Sequence, residues 1–419
     1  MIFTERIFEK KLNNGLNVTV IEKKDFKTIS AAFTTAFGGA YQKIEVDGKI
    51  IELPLGVAHF LEHKLFSNEE GEDVINDFAT LGLEANAYTD YYNTTYYFNG
   101  SLNTYKGIEL LLDFVQNPYF SDENVESEKG IIEQELLMYQ DMPGEALSLG
   151  LMNNLYHKFP FIYDVGGTVE EVNRITKEIL YYCYDLFYHP MNMKMIIVGD
   201  VNHQEIFKLI EDNQSKKIFK EYKYPKLVIE DEDNSINKEY DFKYMDVVNP
   251  KVLLGIKLPM RNDVLENQLL IEGLALKIIK NTLFGGYTKF VQGLLDDKII
   301  CSPLRSSYYN DKYSQYLAVG ADSNNVDELI KRLKKRIKTL KTLKFNQKEI
   351  DRVKKDTIGK YILSFNSIDA IMGDYLDSID RKFNYLNFIE VINSFSIDIL
   401  YEKSKQLLDC PISVYIIKK

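Results

Sequence analysis

Two tandem similar α+β domains, each a mostly antiparallel sheet flanked by helices and joined by a linker, are what this sequence predicts. Three observations lead there. The chain has 419 residues, too many for one hydrophobic core when domains run to roughly 100–200 residues. Strand-like and helix-like runs follow one another in the same order in both halves. Between the halves lies a stretch from Gln214 to Val247, rich in Lys, Asp, Glu and Asn and poor in periodic apolar runs, which reads as a linker. The expected boundaries are a first domain over 1–215, a linker over 216–246 and a second domain over 247–419.

Along the first half, Lys11 to Lys23 sets an Asn-Gly turn before alternating apolar residues, the pattern of a hairpin or of an opening strand. Ile29 to Phe37 is a second strand, closed by Gly38-Gly39. Gly56 to Phe66 and Glu72 to Leu81 follow as helices, the latter stopped by Gly82. Asn93 to Gly100 is β-branched and aromatic, hence a strand. Helical periodicity fills Leu102 to Val115, Asp122 to Asp141 and Ile175 to Phe187, and Lys194 to Val198 returns to strand. The second half opens with the strand Val252 to Ile256 and a long helix from Gln268 to Leu283. Helices over Val326 to Leu343 and Gln347 to Leu363 and a final strand at Ile412 to Ile417 close it, repeating the first half in element order but barely in residues.

Composition narrows the function classes. A hydrophobic share of 45% with 27% charged residues belongs to an ordinary globular protein. The net charge of −11, with no block of Lys and Arg, argues against nucleic acid. No run of 18 apolar residues occurs, and Met1 to Arg6 lacks a basic segment before an apolar one, so neither a membrane span nor an export signal is expected. Cys183, Cys301 and Cys410 are odd in number and far apart, which disfavours disulfides and cysteine zinc knuckles. A cytoplasmic location is the expectation.

One pentad names a chemistry. His59-Phe60-Leu61-Glu62-His63 reads H-x-x-E-H, so two imidazoles lie four residues apart on a predicted helix, about 40° from each other around its axis. They can share one metal ion, while Glu62, on the same side, can reach a water on that ion without binding it. The order is the reverse of the H-E-x-x-H zinc peptidase helix. Two histidines packed on a helix face are the competing explanation, and carboxylates further along disfavour it. Catalytic zinc usually keeps three protein ligands, and the acidic helix Glu126 to Met138 can supply the third. Glu128 and Glu135 are seven residues apart, nearly two full turns, and share a face, whereas Glu133 points about 140° away from Glu128. That face can carry a ligand and a carboxylate that orients one, although a solvated acidic helix has the same spacing.

These residues resemble the pitrilysin/insulinase zinc metallopeptidases. The pentad is followed some seventy residues later by E-x-x-x-x-x-x-E, and HFLEHKLF, LEANAYTDYYNTTYYF and YDLFYHPMNMKMIIVGDV are all in that family's style, closest to the zinc-bearing half-size peptidases of Gram-positive bacteria. The resemblance covers nearly all of the first half and is thin in the second. It implies that His59, His63 and Glu135 ligate Zn2+, that Glu62 is the general base and that Glu128 supports a ligand. It also implies that Asn86 and Ala87 belong to an edge strand to which a peptide substrate adds.

The second half departs from the pattern. Family members often carry an Arg and a Tyr there that help hold substrate, but Leu295 stands at the Arg position and Cys301 or Ser302 at the Tyr position; Arg305 and Tyr308 lie nearby out of register. In two-chain members the zinc-free subunit supplies that pair. The resemblance therefore implies a zinc endopeptidase acting on short unfolded peptides as the catalytic subunit of a dimer, with a homologous zinc-free partner; leader or precursor peptides are one substrate class. A non-catalytic assembly subunit is the alternative, disfavoured because no motif position is lost.

Overall fold

A computed structural model describes residues 6–67, 73–261 and 263–419. Strands β1 (Arg6–Lys11) and β2 (Asn17–Glu22) form a hairpin around Asn14-Gly15, the first of the two readings of that stretch, with Gly15 at φ +93°. Strand β3 (Ile29–Thr35) is buried along its length. A hairpin absent from the expectation follows, β4 (Lys43–Val46) and β5 (Lys49–Glu52), turning at Asp47-Gly48 with φ of +52° and +77°; the Asp-Gly pair was a readable signal for it. Next come helices α1 (Val57–Leu65) and α2 (Val74–Thr80) and strands β6 (Leu83–Thr89) and β7 (Thr94–Gly100). Glu72, the expected start of the second helix, lies outside the described residues, and Asp73 caps α2 by accepting the Ile75 amide. Helices α3 (Thr104–Val115), α4 (Asp122–Gln140), α5 (Pro143–Leu155), α6 (Val169–Val172) and α7 (Lys177–Phe187), strand β8 (Met193–Gly199) and helix α8 (His203–Gln214) complete this half.

The remainder runs through β9 (Lys226–Leu227), β10 (Tyr240–Tyr244), β11 (Lys251–Lys257), α9 (Gln268–Phe284), α10 (Lys289–Asp296), β12 (Arg305–Asn310) and β13 (Gln315–Asp322). It ends with α11 (Val326–Lys338), α12 (Gln347–Ser364), α13 (Ile368–Asp380), α14 (Phe388–Asn393), α15 (Ile397–Asp409) and β14 (Ile412–Lys418). None of the described helices is long and apolar enough to cross a membrane.

The repeat that was faint in residues is explicit in the sheets. The first has the order β1-β2-β8-β3-β7-β6, the second β10-β14-β11-β13-β12. Each is antiparallel except at one pair, β2 with β8 and β10 with β14. Setting β10 on β2 aligns every later strand of these two sheets, and the helices between follow, α12 matching α4 and α13 matching α5.

Contacts divide the chain differently from the continuous boundaries read in sequence. Among the described residues, one compact unit holds those up to Met138 with Tyr163–Ile229 and Asn366–Met372; the other holds Tyr139–Ile162, Glu230–Phe365 and Gly373–Lys419. Helix α5 therefore packs with the second sheet, where Gly150 abuts the Tyr415 ring and Asn154 Nδ2 donates to Val414 O at 3.1 Å. The stretch read as a linker is also structured. Strand β9 pairs with β4 and β10 with β14, because edge strands are held by backbone hydrogen bonds that need no apolar pattern. Within it, Glu232 accepts the amides of His157, Lys158 and Phe159 at 2.9, 2.7 and 3.0 Å and the ammonium of Lys257 at 2.7 Å.

Candidate metal centre

Helix α1 starts at Gly56, whose φ of +82° favours glycine, and a Cβ there would stand 2.1 Å from Gly166 O. The helix is thus pressed against the loop Asp164–Gly167 at a distance only a residue without a side chain permits. Val57, Ala58, Phe60, Leu61 and Leu65 bury its apolar face, leaving His59, Glu62 and His63 half-buried. Opposite them, α4 buries Val125, Glu128, Ile132 and Leu136, a spacing of three and four residues that marks one helical stripe. Glu128 lies on that stripe and Glu135 just beside it.

The two helices bring the predicted residues together. His59 Nε2 is 3.8 Å and His63 Nε2 3.6 Å from Glu135 Oε2, and one donor atom from each of the three lies within 4.8 Å of the others. Donors around a tetrahedral zinc with bonds of about 2.1 Å stand about 3.4 Å apart, so a slight contraction would seat all three on one ion. Among the described residues no fourth His, Cys, Asp or Glu joins these two imidazoles and one carboxylate, and three protein ligands are the number that catalytic zinc usually keeps. Glu133 is not part of the group. Glu128 Oε1 is 3.0 Å from His63 Nδ1, which favours the proton on that nitrogen and leaves the Nε2 lone pair turned to the ion's position. His59 Nδ1 is buried and has no hydrogen-bond partner among the described residues, so the two imidazoles are held differently.

Protonation states suit the same geometry. Burial, then the neighbouring His63, push the His59 pKa down to about 4, keeping that ring neutral and able to ligate. For His63, burial acts downward, but the hydrogen bond and charge of Glu128 prevail and raise it. Burial would raise Glu128, yet its bonds to His63 and Lys64 hold its carboxyl below the usual range. Glu62 goes the other way: burial raises it, only partly opposed by a hydrogen bond from Thr89 Oγ1 at 2.6 Å. A carboxylate more basic than usual, fixed on one oxygen, is well suited to take a proton.

Asn86 and Ala87 lie on β6, the edge of the six-stranded sheet, paired with Tyr97 and Tyr96 of β7. Asn86 is exposed and its Oδ1 accepts the Ala87 amide at 2.8 Å. Thr89, two positions beyond Ala87 on the same face, holds Glu62.

Comparison with known proteins decides the family. The pattern described as "Insulinase (Peptidase family M16)" matches residues 52–168, and that described as "Peptidase M16 inactive domain" matches residues 174–356. The chain belongs to the insulinase family. Among relatives, the "Uncharacterized zinc protease YmfH" of Bacillus subtilis is 33% identical over 94% of this chain and 92% of its own length. The crystal structure of a putative M16-like peptidase from Alicyclobacillus acidocaldarius superposes with a TM-score of 0.93 at 31% identity, covering 99% of this chain and 98% of that one. The periplasmic protease PqqL of Escherichia coli shares the fold, with a TM-score of 0.75 at 20% identity, covering 99% of this chain but 48% of that one. As an insulinase-family peptidase the protein has zinc as its cofactor, and the two histidines with Glu135 are the group among its described residues that could hold the ion.

Sequence reading missed two residues of this insulinase-family centre. Thr89 carries no signal of its own beyond its alternation with Ala87 along a strand. Lys64 sits on the buried face of α1, where the helical period predicts an apolar side chain. In the second unit, Leu295 on α10 is exposed, Ser302 Oγ accepts the Asp322 amide at 2.9 Å, and Arg305 and Tyr308 stand on the edge strand β12 opposite Gly320 and Leu317.

Proposed function

We propose that this insulinase-family chain is a zinc endopeptidase whose metal is held by His59, His63 and Glu135, with Glu62 as general base. The arrangement of three converging donors beside a separate, burial-raised carboxylate carries this reading. Zinc, when bound, supplies Lewis acidity toward water and the scissile carbonyl. Glu62 takes the proton of the attacking water on the oxygen not engaged by Thr89 and returns it to the leaving amine. Glu128 keeps His63 in the ligating tautomer. An extended peptide adds to β6 beside Asn86 and Ala87 through main-chain hydrogen bonds, which suits short unfolded substrates, leader or precursor peptides among them.

The chain acts as the catalytic subunit of a dimer, with a homologous zinc-free subunit supplying the Arg and Tyr absent here. The apolar Leu295 and the Cys301-Ser302 pair at the corresponding positions support this. A Glu62→Gln variant is expected to keep zinc and lose peptide cleavage, and undiminished cleavage would remove Glu62 from the mechanism. Sizing of the purified chain with and without its genomic neighbour tests the partner, and full activity as a lone monomer would refute it.

A further inference from the structure

Lys64 is 3% exposed, yet it is the residue directly after His63 on the buried face of α1. Its ammonium stands 3.1 Å from Glu128 Oε2 and 3.2 Å from Ser67 Oγ. Removing an ammonium from water costs several kcal/mol, and replacing a buried ion pair by apolar groups of similar size is often neutral or stabilising. Methionine would fill this place without that cost. Stability alone therefore does not account for a lysine here.

The carboxylate it meets does. Glu128 uses Oε1 on His63 Nδ1 and Oε2 on Lys64 Nζ, so two donors on opposite sides fix its rotation. Without the ammonium, Oε2 loses its cation, and the carboxyl is free to turn away from His63. The same contact joins α1, which carries both histidines, to α4, which carries Glu135 seven residues beyond Glu128. We infer that Lys64 is a positioning residue of the metal centre: by clamping Glu128 it orients the His63 ring and sets the separation of the histidine helix from the Glu135 helix. The inference rests on the ligand set proposed above, with Lys64 acting through Glu128 and touching neither metal nor substrate.

The test measures metal binding rather than turnover, by zinc competition against a chromogenic chelator and by the visible spectrum of the cobalt-substituted protein. Lys64→Met is expected to weaken zinc binding by about 10- to 100-fold, the range seen when a residue supporting a ligand is lost, and to alter the cobalt bands; Lys64→Arg restores both. Glu128→Gln weakens binding similarly. The double variant Lys64→Met with Glu128→Gln, which buries no unpaired charge and so remains testable if Lys64→Met fails to fold, binds zinc as Glu128→Gln does. Unchanged affinity and spectrum in Lys64→Met, or about a further tenfold loss in the double variant, would overturn the inference. His63→Ala separates the two readings: if it leaves zinc binding intact the ligand set itself fails, whereas loss there with none in Lys64→Met removes only the role of Lys64.

Discussion

Replacing Thr89 with valine removes one hydroxyl and almost no volume, and it isolates how the fold tunes Glu62. The hydroxyl donates to Glu62 Oε2 at 2.6 Å, and hydrogen bonds to charged groups contribute about 1.5–3 kcal/mol. Glu62 is half-buried, so water can partly replace the donor, and the lower end of that range, about 1.5 kcal/mol or roughly tenfold, is the fitting magnitude. The sign follows from the two influences on the carboxyl: burial raises its pKa and the Thr89 bond lowers it. Without the bond the pKa rises further, so the ionised, proton-accepting form is scarcer on the acid side and regained as pH increases. Measured as kcat/KM on a fluorogenic peptide across pH, Thr89→Val should show its deficit at acid pH, shrinking toward alkaline pH, with zinc content unchanged. A deficit equal at all pH values, or none beyond twofold, would show that the bond does not set the basicity of Glu62.

Three further outcomes follow from the geometry. The side chains of Lys257 and Glu232 are 0% and 1% exposed, and Lys257→Met should cost about 3 kcal/mol in urea unfolding, the low end for breaking a buried pair because three backbone amides stay on Glu232; a loss under about 1 kcal/mol would contradict this. Burial would raise the Glu232 carboxyl, but Lys257 and the amides of His157 and Lys158 hold it below its ordinary 4.5. Its stabilising contribution is accordingly full above that value and lost as pH falls through the lowered one, so the Lys257→Met deficit should narrow in acid. Gly56→Ala, at φ +82° with its Cβ 2.1 Å from Gly166 O, should destabilise the protein by about 2 kcal/mol or more and weaken zinc binding. Wild-type affinity in that variant would mean the helix start tolerates displacement.

How much of this was legible depended on whether chemistry was written in spacing. His59, Glu62 and His63 announce themselves because the helical period alone puts three functional groups on one side, and Glu128 with Glu135 do so through their seven-residue interval. Thr89 and Lys64 do not, since a threonine on a strand and a lysine on a helix are ordinary until the partner across space is known. Strands β9 and β10 were hidden because edge pairing is a backbone property. Helix α5 was not read in sequence at all, and its place was hidden for another reason: apolar side chains declare that they need cover, not which sheet provides it.

The placement of α5 changes how this chain can be recombined. Its Gly150 lies against Tyr415, and Leu151 and Leu155 crowd Gly255 of β11, so residues near position 150 must vary in step with residues more than a hundred positions later. A chimera joined in the polar stretch over 216–246 would pair the α5 of one parent with the sheet of another. Swapping the segment Tyr139–Ile162 together with the second half would keep the matched surfaces in one parent, and the workable seams for exchange lie at its two ends.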